Sequence, residues 1–202
     1  MISAREALAR LREGNARFVS ESRSSEILTT EHRRRELASG QEPFAIILGC
    51  SDSRVPAELV FDQGLGDLFV IRVAGNIVAP SQIGSVEFAA ARFGTRLVVV
   101  LGHTSCGAIL ATIEELGRPS EDQSRNLRSI VDRVRPSVAP LLNSGRSMTD
   151  LVSDAVRANI QASVEQLKRG SDIIEQLVRE EDLLVVGAEY SLETGEVDFF
   201  DP

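Results

Sequence analysis

Cysteine and histidine are scarce in this chain, and so are the larger aromatic residues. Its 202 residues include two cysteines, two histidines, one tyrosine and no tryptophan. Two cysteines can form at most one disulfide, which excludes the disulfide-rich scaffolds of small secreted proteins. The first residues contain no apolar stretch and mix glutamate with arginine, unlike a secretory signal or a transit peptide. We therefore predict a cytoplasmic protein, in which thiols bind metal or take part in chemistry.

Long hydrophobic runs and an excess of positive charge are absent as well. No apolar stretch approaches the roughly 20 residues that a membrane-spanning helix requires. The formal net charge is -8, and surplus negative charge disfavours contact with nucleic-acid phosphates or anionic membrane surfaces. We predict no nucleic-acid partner and no membrane association.

The sequence does contain a series of apolar stretches that alternate with helical patterns. The stretches are rich in β-branched and aliphatic residues without intervening polar ones, which is typical of strands buried on both faces. Their alternation with helices indicates a mostly parallel sheet with right-handed crossovers. Four strands are predicted, at 44–49, 68–73, 97–102 and 183–188. Helices are predicted at 81–93, 106–116, 123–142 and 149–168, with a loop at 117–122.

Both ends of the chain add to this core. Ser3 and Glu6 form a capping-box pattern at the start of a first helix, and a second helix is predicted at 30–38. Residues 1–40 would thus form an N-terminal helical arm before an α/β core at 41–202. Residues 196–200 follow a turn and are predicted to be an edge strand. The predicted fold class is α/β, with a core of four parallel strands plus an antiparallel edge strand flanked by helices, in a single domain.

Residues that can bind metal follow two of the predicted strands. Cys50 and Asp52 come after the strand at 44–49, and His103 and Cys106 come after the strand at 97–102. Taken singly, each has an ordinary explanation, such as an inert core cysteine or an aspartate in a turn. Their occurrence together at two strand ends favours a shared site, because parallel sheets bind ligands beyond the carboxyl ends of their strands. Thiolate, imidazole and carboxylate together predict a Zn²⁺ site.

The available ligands indicate a catalytic rather than a structural zinc site. Two cysteines and His103 supply three ligands, and the only other histidine, His32, lies in a charged helix where we expect it to be solvated. The fourth position is then either open to water or taken by Asp52. An open Zn²⁺ lowers the pKa of bound water and supplies hydroxide near neutral pH. Because two thiolates cancel the zinc charge, we expect a weaker acidifying effect and activity favoured by alkaline pH.

Arg54 lies two residues after Asp52 and is its predicted partner. A guanidinium can hold a carboxylate in a bidentate pair and keep it off the metal. Asp52 would then accept a hydrogen bond from the hydroxide on zinc and orient it toward substrate. A surface ion pair of little consequence is the alternative interpretation of this pair.

The two motifs, CSDSRVP at 50–56 and GHTSCGA at 102–108, closely resemble those of the β-class carbonic anhydrases. The likeness extends over nearly the whole chain, including LREGNARF at 11–18 and FVIRVAGN at 69–76. It implies a zinc-dependent lyase that reversibly hydrates carbon dioxide to bicarbonate and a proton. It also implies zinc ligation by Cys50, His103 and Cys106, with Asp52 and Arg54 as a catalytic dyad. In some members of the family the aspartate binds zinc as the fourth ligand.

The resemblance also implies a substrate site and an assembly. Gln41 matches a glutamine that reaches substrate across a dimer interface, and Gly107 matches a backbone N–H donor near it. Phe69, Ala74 and Phe88 match positions of the apolar substrate pocket. The implied assembly is a homodimer or a homotetramer.

Two other functions stay open on the residues alone. A hydrolase of carbon disulfide or carbonyl sulfide can use the same zinc site. A non-catalytic zinc- or redox-responsive protein, in which Cys50 and Cys106 form a disulfide, is the alternative from a different class.

Overall fold

Five strands form one sheet in the computed structural model, which describes residues 2–22, 30–116 and 124–200. The spatial order is β2-β1-β3-β4-β5; the first four strands run parallel, and β5 runs antiparallel to β4. The predicted α/β class and all five strands are therefore confirmed, with ends that differ by one or two residues. The strands are β1 (Ala45–Gly49), β2 (Leu68–Arg72), β3 (Leu97–His103), β4 (Leu184–Tyr190) and β5 (Val197–Phe199).

Helices precede the sheet and connect its strands. They are α1 (Ala4–Val19), α2 (Glu31–Leu37), α3 (Ala57–Val60), α4 (Pro80–Phe93), α5 (Gly107–Leu116), α6 (Arg125–Val138), α7 (Met148–Arg169) and α8 (Asp172–Glu180). The described residues also include short 3₁₀ turns at Ala74–Asn76 and Ala139–Leu141. The predicted loop at 117–122 lies outside the described residues. None of the described helices is long and apolar enough to cross a bilayer.

Sequence patterns missed two of these helices. The single turn of α3 is too short to show a period, whereas α8 carried a readable signal. Ser171 caps α8 by accepting a hydrogen bond from the Ile174 amide at 3.2 Å. Ile174 and Leu177, three residues apart, are its buried residues. A cap followed by apolar residues at helical spacing predicts such a helix.

The sheet is covered on both faces, which explains why its strands are continuously apolar. In β1, Ile46 and Leu48 belong to the core on one face, and Ala45 and Ile47 belong to the core on the other. All five residues of β1 and all seven of β3 are buried. With both faces dry, no position in these strands favours a polar side chain.

The strand order determines where a ligand site can form. From β1 the chain passes to β2 on one side and then crosses to β3 on the other side. This is a topological switch point, where the connections after neighbouring strands leave in opposite directions and open a crevice. The carboxyl ends of β1 and β3 border that crevice, and both predicted metal-binding motifs begin there.

The N-terminal arm is docked on the sheet by a Gly-Asn pair in α1. A Cβ atom at Gly14 would lie 1.9 Å from the Phe61 carbonyl oxygen, so only glycine permits this approach. The side-chain Nδ2 of Asn15 donates to the Gly195 carbonyl at 2.9 Å, and its Oδ1 accepts from the Val197 backbone amide at 2.9 Å. These contacts connect α1 to the start of β5. The capping box predicted at the start of α1 is also formed.

Candidate metal centre

Three side chains that could bind a metal converge in the crevice between β1 and β3. Cys50 directly follows β1, His103 is the last residue of β3, and Cys106 directly precedes α5. All three are buried, and one ligand atom from each lies within 4.8 Å of the others. No other such group occurs in the part of the chain that the structure describes. The two sulfurs are 4.0 Å apart, close to the separation of about 3.8 Å expected for two sulfurs on a tetrahedral zinc ion.

The hydrogen bonding of His103 leaves one ring nitrogen available to a metal. Its Nδ1 lies 3.0 Å from the Thr104 carbonyl oxygen, and because a carbonyl only accepts, Nδ1 carries the proton. Nε2 is then the lone-pair nitrogen, and within the described ranges it is buried without a hydrogen-bond partner. A backbone carbonyl on one ring nitrogen that leaves the other for the metal is the usual arrangement around zinc-bound histidine. The residues present therefore fit Zn²⁺.

The two thiols influence each other's ionisation. The hydrogen bond from Cys106 lowers the pKa of Cys50, while the same contact and burial raise the pKa of Cys106. The Gly75 amide also donates to the Cys50 sulfur, at 3.4 Å. Burial opposes a charge on His103, but the Cys50 sulfur, the Thr104 carbonyl and the Asp52 carboxylate together raise the pKa of the imidazole. Negative charge is thus favoured on a sulfur, as a metal ligand requires.

Asp52 and Arg54 form the bidentate pair predicted from the sequence. Arg54 Nε donates to Asp52 Oδ1 at 2.9 Å, and Arg54 Nη2 donates to Oδ2 at 2.7 Å. The Arg54 backbone amide also donates to Oδ1, at 3.0 Å. These bonds hold the pKa of Asp52 well below its usual range. The carboxylate is thus ionised and oriented, and its Oδ2 lies 3.7 Å from Nε2 of His103, one of the three candidate ligands.

Arg72 fixes the backbone that carries Cys50 and Asp52. From the end of β2, its Nε donates to the Cys50 carbonyl at 3.0 Å and its Nη2 donates to the Asp52 carbonyl at 2.5 Å. A guanidinium fork that spans two carbonyls two residues apart restricts the loop between them. Sequence reasoning assigned Arg72 no such role. The available signal was a charged residue at the end of an otherwise apolar strand.

The second loop is fixed by the neighbouring strand β4. The Thr104 amide donates to the Tyr190 carbonyl at 2.9 Å, and Thr104 Oγ1 accepts from the Leu192 amide at 3.0 Å. Ser105 adopts a positive φ of 54°, which turns the chain between His103 and Cys106. Because Thr104 is held on both sides, the short loop presents its two candidate ligands in one orientation.

The residues predicted to bind substrate are not all brought to this cluster within one chain. Ala74 and Gly107 lie on segments next to it, since Gly75 contacts the Cys50 sulfur and Gly107 follows Cys106. Phe69 instead pairs with Ile46, four residues before Cys50, which places about 13 Å of strand between them.

The remaining predicted substrate residues lie on the surface of the single chain. Phe88 is 54% exposed on α4, and its ring packs 6.1 Å from Phe69 and 5.6 Å from Phe93. Gln41 is exposed in the segment before β1. The structure thus unites the predicted metal and dyad residues, and it leaves Gln41, Phe69 and Phe88 outside that cluster.

Comparison with known proteins places this geometry in a family. Residues 45–197 match the family model for carbonic anhydrase. The chain is 40% identical over 188 residues to a carbonic anhydrase of Mycolicibacterium smegmatis, covering 93% of this chain and 89% of the relative. It is 38% identical over 185 residues to carbonic anhydrase 2 of Mycobacterium tuberculosis, covering 92% and 87%. This chain belongs to the β-class carbonic anhydrases.

Solved structures of this class share the fold. One of two tetrameric β-carbonic anhydrases from Sordaria macrospora superposes with a TM-score of 0.74 at 25% identity, covering 85% of this chain and 87% of that one. As a β-class carbonic anhydrase the protein is a lyase, and carbon dioxide hydration is its expected reaction.

Proposed function

We propose that this carbonic anhydrase hydrates carbon dioxide reversibly at a Zn²⁺ ion bound by Cys50, His103 and Cys106. The observation that carries the proposal is the convergence of two sulfurs and an unpartnered imidazole nitrogen within 4.8 Å, beside an ionised carboxylate. Zn²⁺ in this position would act as a Lewis acid and lower the pKa of water in its remaining coordination position.

Asp52 would orient the reacting water, and Arg54 would orient Asp52. Arg54 occupies both carboxylate oxygens through donors at 2.9 and 2.7 Å. Oδ1 also accepts from the Arg54 backbone amide at 3.0 Å, so both of its lone pairs are used. Oδ2 keeps one lone pair, and it is the oxygen next to the His103 nitrogen. An oriented acceptor there can take a hydrogen bond from water and direct its lone pair toward carbon dioxide. For Asp52 to become the fourth metal ligand instead, its pair with Arg54 would have to open.

The three buried candidate ligands also support a cytoplasmic, reducing location. Cys50 and Cys106 are both free in the structure and lie on opposite sides of the crevice. A site that needs two thiolates loses its ligands when they are oxidised. A disulfide between them would make this protein redox-responsive rather than catalytic. Alkylation of the zinc-loaded protein distinguishes the two functions, because zinc-bound thiols should be protected from the reagent. Protection of both thiols in protein with one zinc ion per chain would exclude the disulfide.

The full substrate site would form between two copies of the chain. Gln41 and Phe88 are exposed, and the Phe88 ring packs against the half-buried rings of Phe69 and Phe93. An exposed aromatic side chain that extends a group of other aromatic rings is typical of an interface. Contact through this group would bring Gln41 and an apolar wall from one copy to the metal centre of another. The Sordaria macrospora proteins are tetrameric, and we propose a homodimer or homotetramer here.

Light scattering tests that assembly. We expect the zinc-loaded protein to have a mass of two or four chains at the concentration used for activity assays. Replacing Phe88 with Glu should shift the mass toward one chain and reduce activity, because a charge would be buried in the interface. Full activity from a particle with the mass of one chain would contradict a site shared between copies.

Stopped-flow hydration of carbon dioxide tests the function. Protein that contains one zinc ion per chain should accelerate hydration at pH 9 and should do so less at pH 6. The same sample should be assayed with carbon disulfide and carbonyl sulfide. Hydrolysis of either one without hydration of carbon dioxide would indicate a hydrolase that uses the same site. Inactivity toward all three substrates at full zinc loading would contradict a catalytic role.

A further inference from the structure

Two buried polar side chains of α7 face the 3₁₀ turn at Ala74–Asn76. Asn159 and Ser163 are 2% and 3% exposed and lie one helical turn apart. Asn159 Nδ2 donates to the Gly75 carbonyl at 2.8 Å, and Ser163 Oγ donates to the Asn76 carbonyl at 3.0 Å. Asparagine and serine are poor choices for the buried face of a helix, where burial of an unpaired polar group is costly. We therefore infer that these two side chains serve the turn that they bind.

That turn has a backbone conformation that needs support. Gly75 has a φ of 72° and Asn76 has a φ of 42°, so two successive residues occupy the left-handed region. A residue other than glycine adopts this region at a cost and keeps it only where its surroundings hold it. The turn is also close to α5, since a Cβ atom at Gly75 would lie 3.3 Å from the Ala108 side chain.

Both polar backbone atoms of Gly75 are engaged, and one of them faces the metal centre. Its N–H donates to the Cys50 sulfur at 3.4 Å, while its carbonyl accepts from Asn159. The direction of the N–H depends on how the residue is held, because Gly75 lacks a side chain that would restrict its dihedral angles. A hydrogen bond to a thiolate stabilises its charge and fixes the direction of its lone pairs, and such contacts tune metal–sulfur bonding.

We propose that Asn159 is a positioning residue of the metal centre. It holds the Gly75 carbonyl so that the Gly75 N–H meets the Cys50 sulfur, and Ser163 supports the same turn at Asn76. The effect passes through one residue, from the side chain of α7 to the sulfur at the end of β1. This inference rests on the proposed binding of metal by Cys50.

Metal exchange in an Asn159→Leu variant tests the proposal. Leucine has nearly the same size but donates no hydrogen bond, so Gly75 should lose its anchor. We expect zinc to be released to a chelator about ten times faster than from wild type, since loss of a contact outside the ligand sphere costs metal affinity by about that factor. In Co²⁺-substituted protein, the sulfur-to-cobalt charge-transfer bands should shift.

Thr95→Val is the matched control. Thr95 is fully buried, and its hydroxyl donates to the Pro43 carbonyl at 2.7 Å. The variant therefore also removes one buried bond from a side chain to a carbonyl, but it does so at the opposite end of the sheet. Its zinc release and cobalt spectrum should match those of wild type, even where its unfolding midpoint falls as far as that of Asn159→Leu. If Asn159→Leu does not fold, Ser163→Ala is measured in the same way, and a smaller shift in the same direction is expected.

The outcomes separate this inference from the proposed function. Wild-type zinc release and an unshifted cobalt spectrum in a folded Asn159→Leu variant would overturn it, as would equal shifts in Thr95→Val. When Ser163→Ala is the variant measured, wild-type behaviour would overturn it. Failure of the wild-type protein to bind one Co²⁺ per chain with thiolate charge-transfer bands would instead overturn the proposed metal site itself.

Discussion

An Asp52→Asn variant is expected to lose at least about 100-fold in kcat for carbon dioxide hydration, while it retains one zinc ion per chain. The magnitude is that of removing a positioned proton acceptor from an active site. Asparagine keeps the shape of the side chain, but it is neutral and can accept through one oxygen only. The Arg54 fork, which now donates to both carboxylate oxygens at 2.9 and 2.7 Å, would lose one of its two acceptors. Stopped-flow kinetics with metal analysis of the same sample measure both quantities.

A second aspartate–arginine pair provides the control for this variant. Asp198 lies on β5 and accepts from Arg157 at 3.0 Å, so Asp198→Asn removes an ion pair away from the metal centre. Its kcat should stay within about twofold of wild type, because exposed pairs contribute little to stability. Wild-type kcat in a zinc-loaded Asp52→Asn protein would contradict the role of Asp52.

Arg54 should act only through Asp52. If so, Arg54→Leu will reduce kcat, but the double variant with Asp52→Asn will be no slower than Asp52→Asn alone, since residues that act as a unit are not additive. Multiplied effects in the double variant would show that Arg54 contacts the reaction independently.

A Cys106→Ser variant is expected to lose zinc, and with it activity. The hydroxyl is close in size to the thiol but ionises far too weakly to replace a thiolate ligand. Loss of an outer contact already costs about 10- to 100-fold in metal affinity, so loss of a ligand should cost more than about 100-fold. Dialysed protein should contain well under one zinc ion per chain, and its residual hydration rate should follow its zinc content.

Thermal unfolding gives this variant an independent readout. A metal that binds only the folded state, at a free concentration 1,000 times its Kd, raises the free energy of unfolding by about 4 kcal/mol. Chelation should therefore lower the Tm of wild type but not that of Cys106→Ser. Ser137→Ala, a change at another buried polar residue on α6, should keep the response of wild type to chelator. A full complement of zinc in Cys106→Ser would remove Cys106 from the ligand set.

The sheet and the metal motifs were predictable because both depend on local sequence. Strands buried on two faces leave continuous apolar runs, as in β1 and β3, where every residue is buried. The carboxyl ends of such strands share one edge of the sheet. Residues that follow them, such as Cys50 and His103, are therefore brought together by topology alone. The predicted ligand cluster follows from these two facts.

The contacts that support the ligands were not predictable, because they join distant parts of the chain. Asn159 and Gly75 are 84 residues apart, and neither residue type signals a partner in the other segment. In the sequence, Arg72 is only a charged residue at the end of a strand. The structure shows that its guanidinium donates to the Cys50 and Asp52 carbonyls. Such contacts depend on how helices and strands pack, which periodicity does not specify.

The predicted substrate residues are a different case, since the roles proposed for Gln41 and Phe88 depend on assembly. Phe88 is an apolar side chain exposed on the surface of one chain, and Gln41 is an exposed polar residue without a local reason for its identity. Only the family resemblance singled them out. Their roles stay predictions until the arrangement of two copies is known.

X-ray absorption at the zinc K-edge of the wild-type enzyme tests the metal centre most directly. Two sulfur neighbours at about 2.3 Å, one imidazole nitrogen at about 2.0–2.1 Å and one further oxygen are predicted. One sulfur or none around zinc, or four sulfur and nitrogen ligands with no position left for water, would contradict a catalytic zinc held by Cys50, His103 and Cys106.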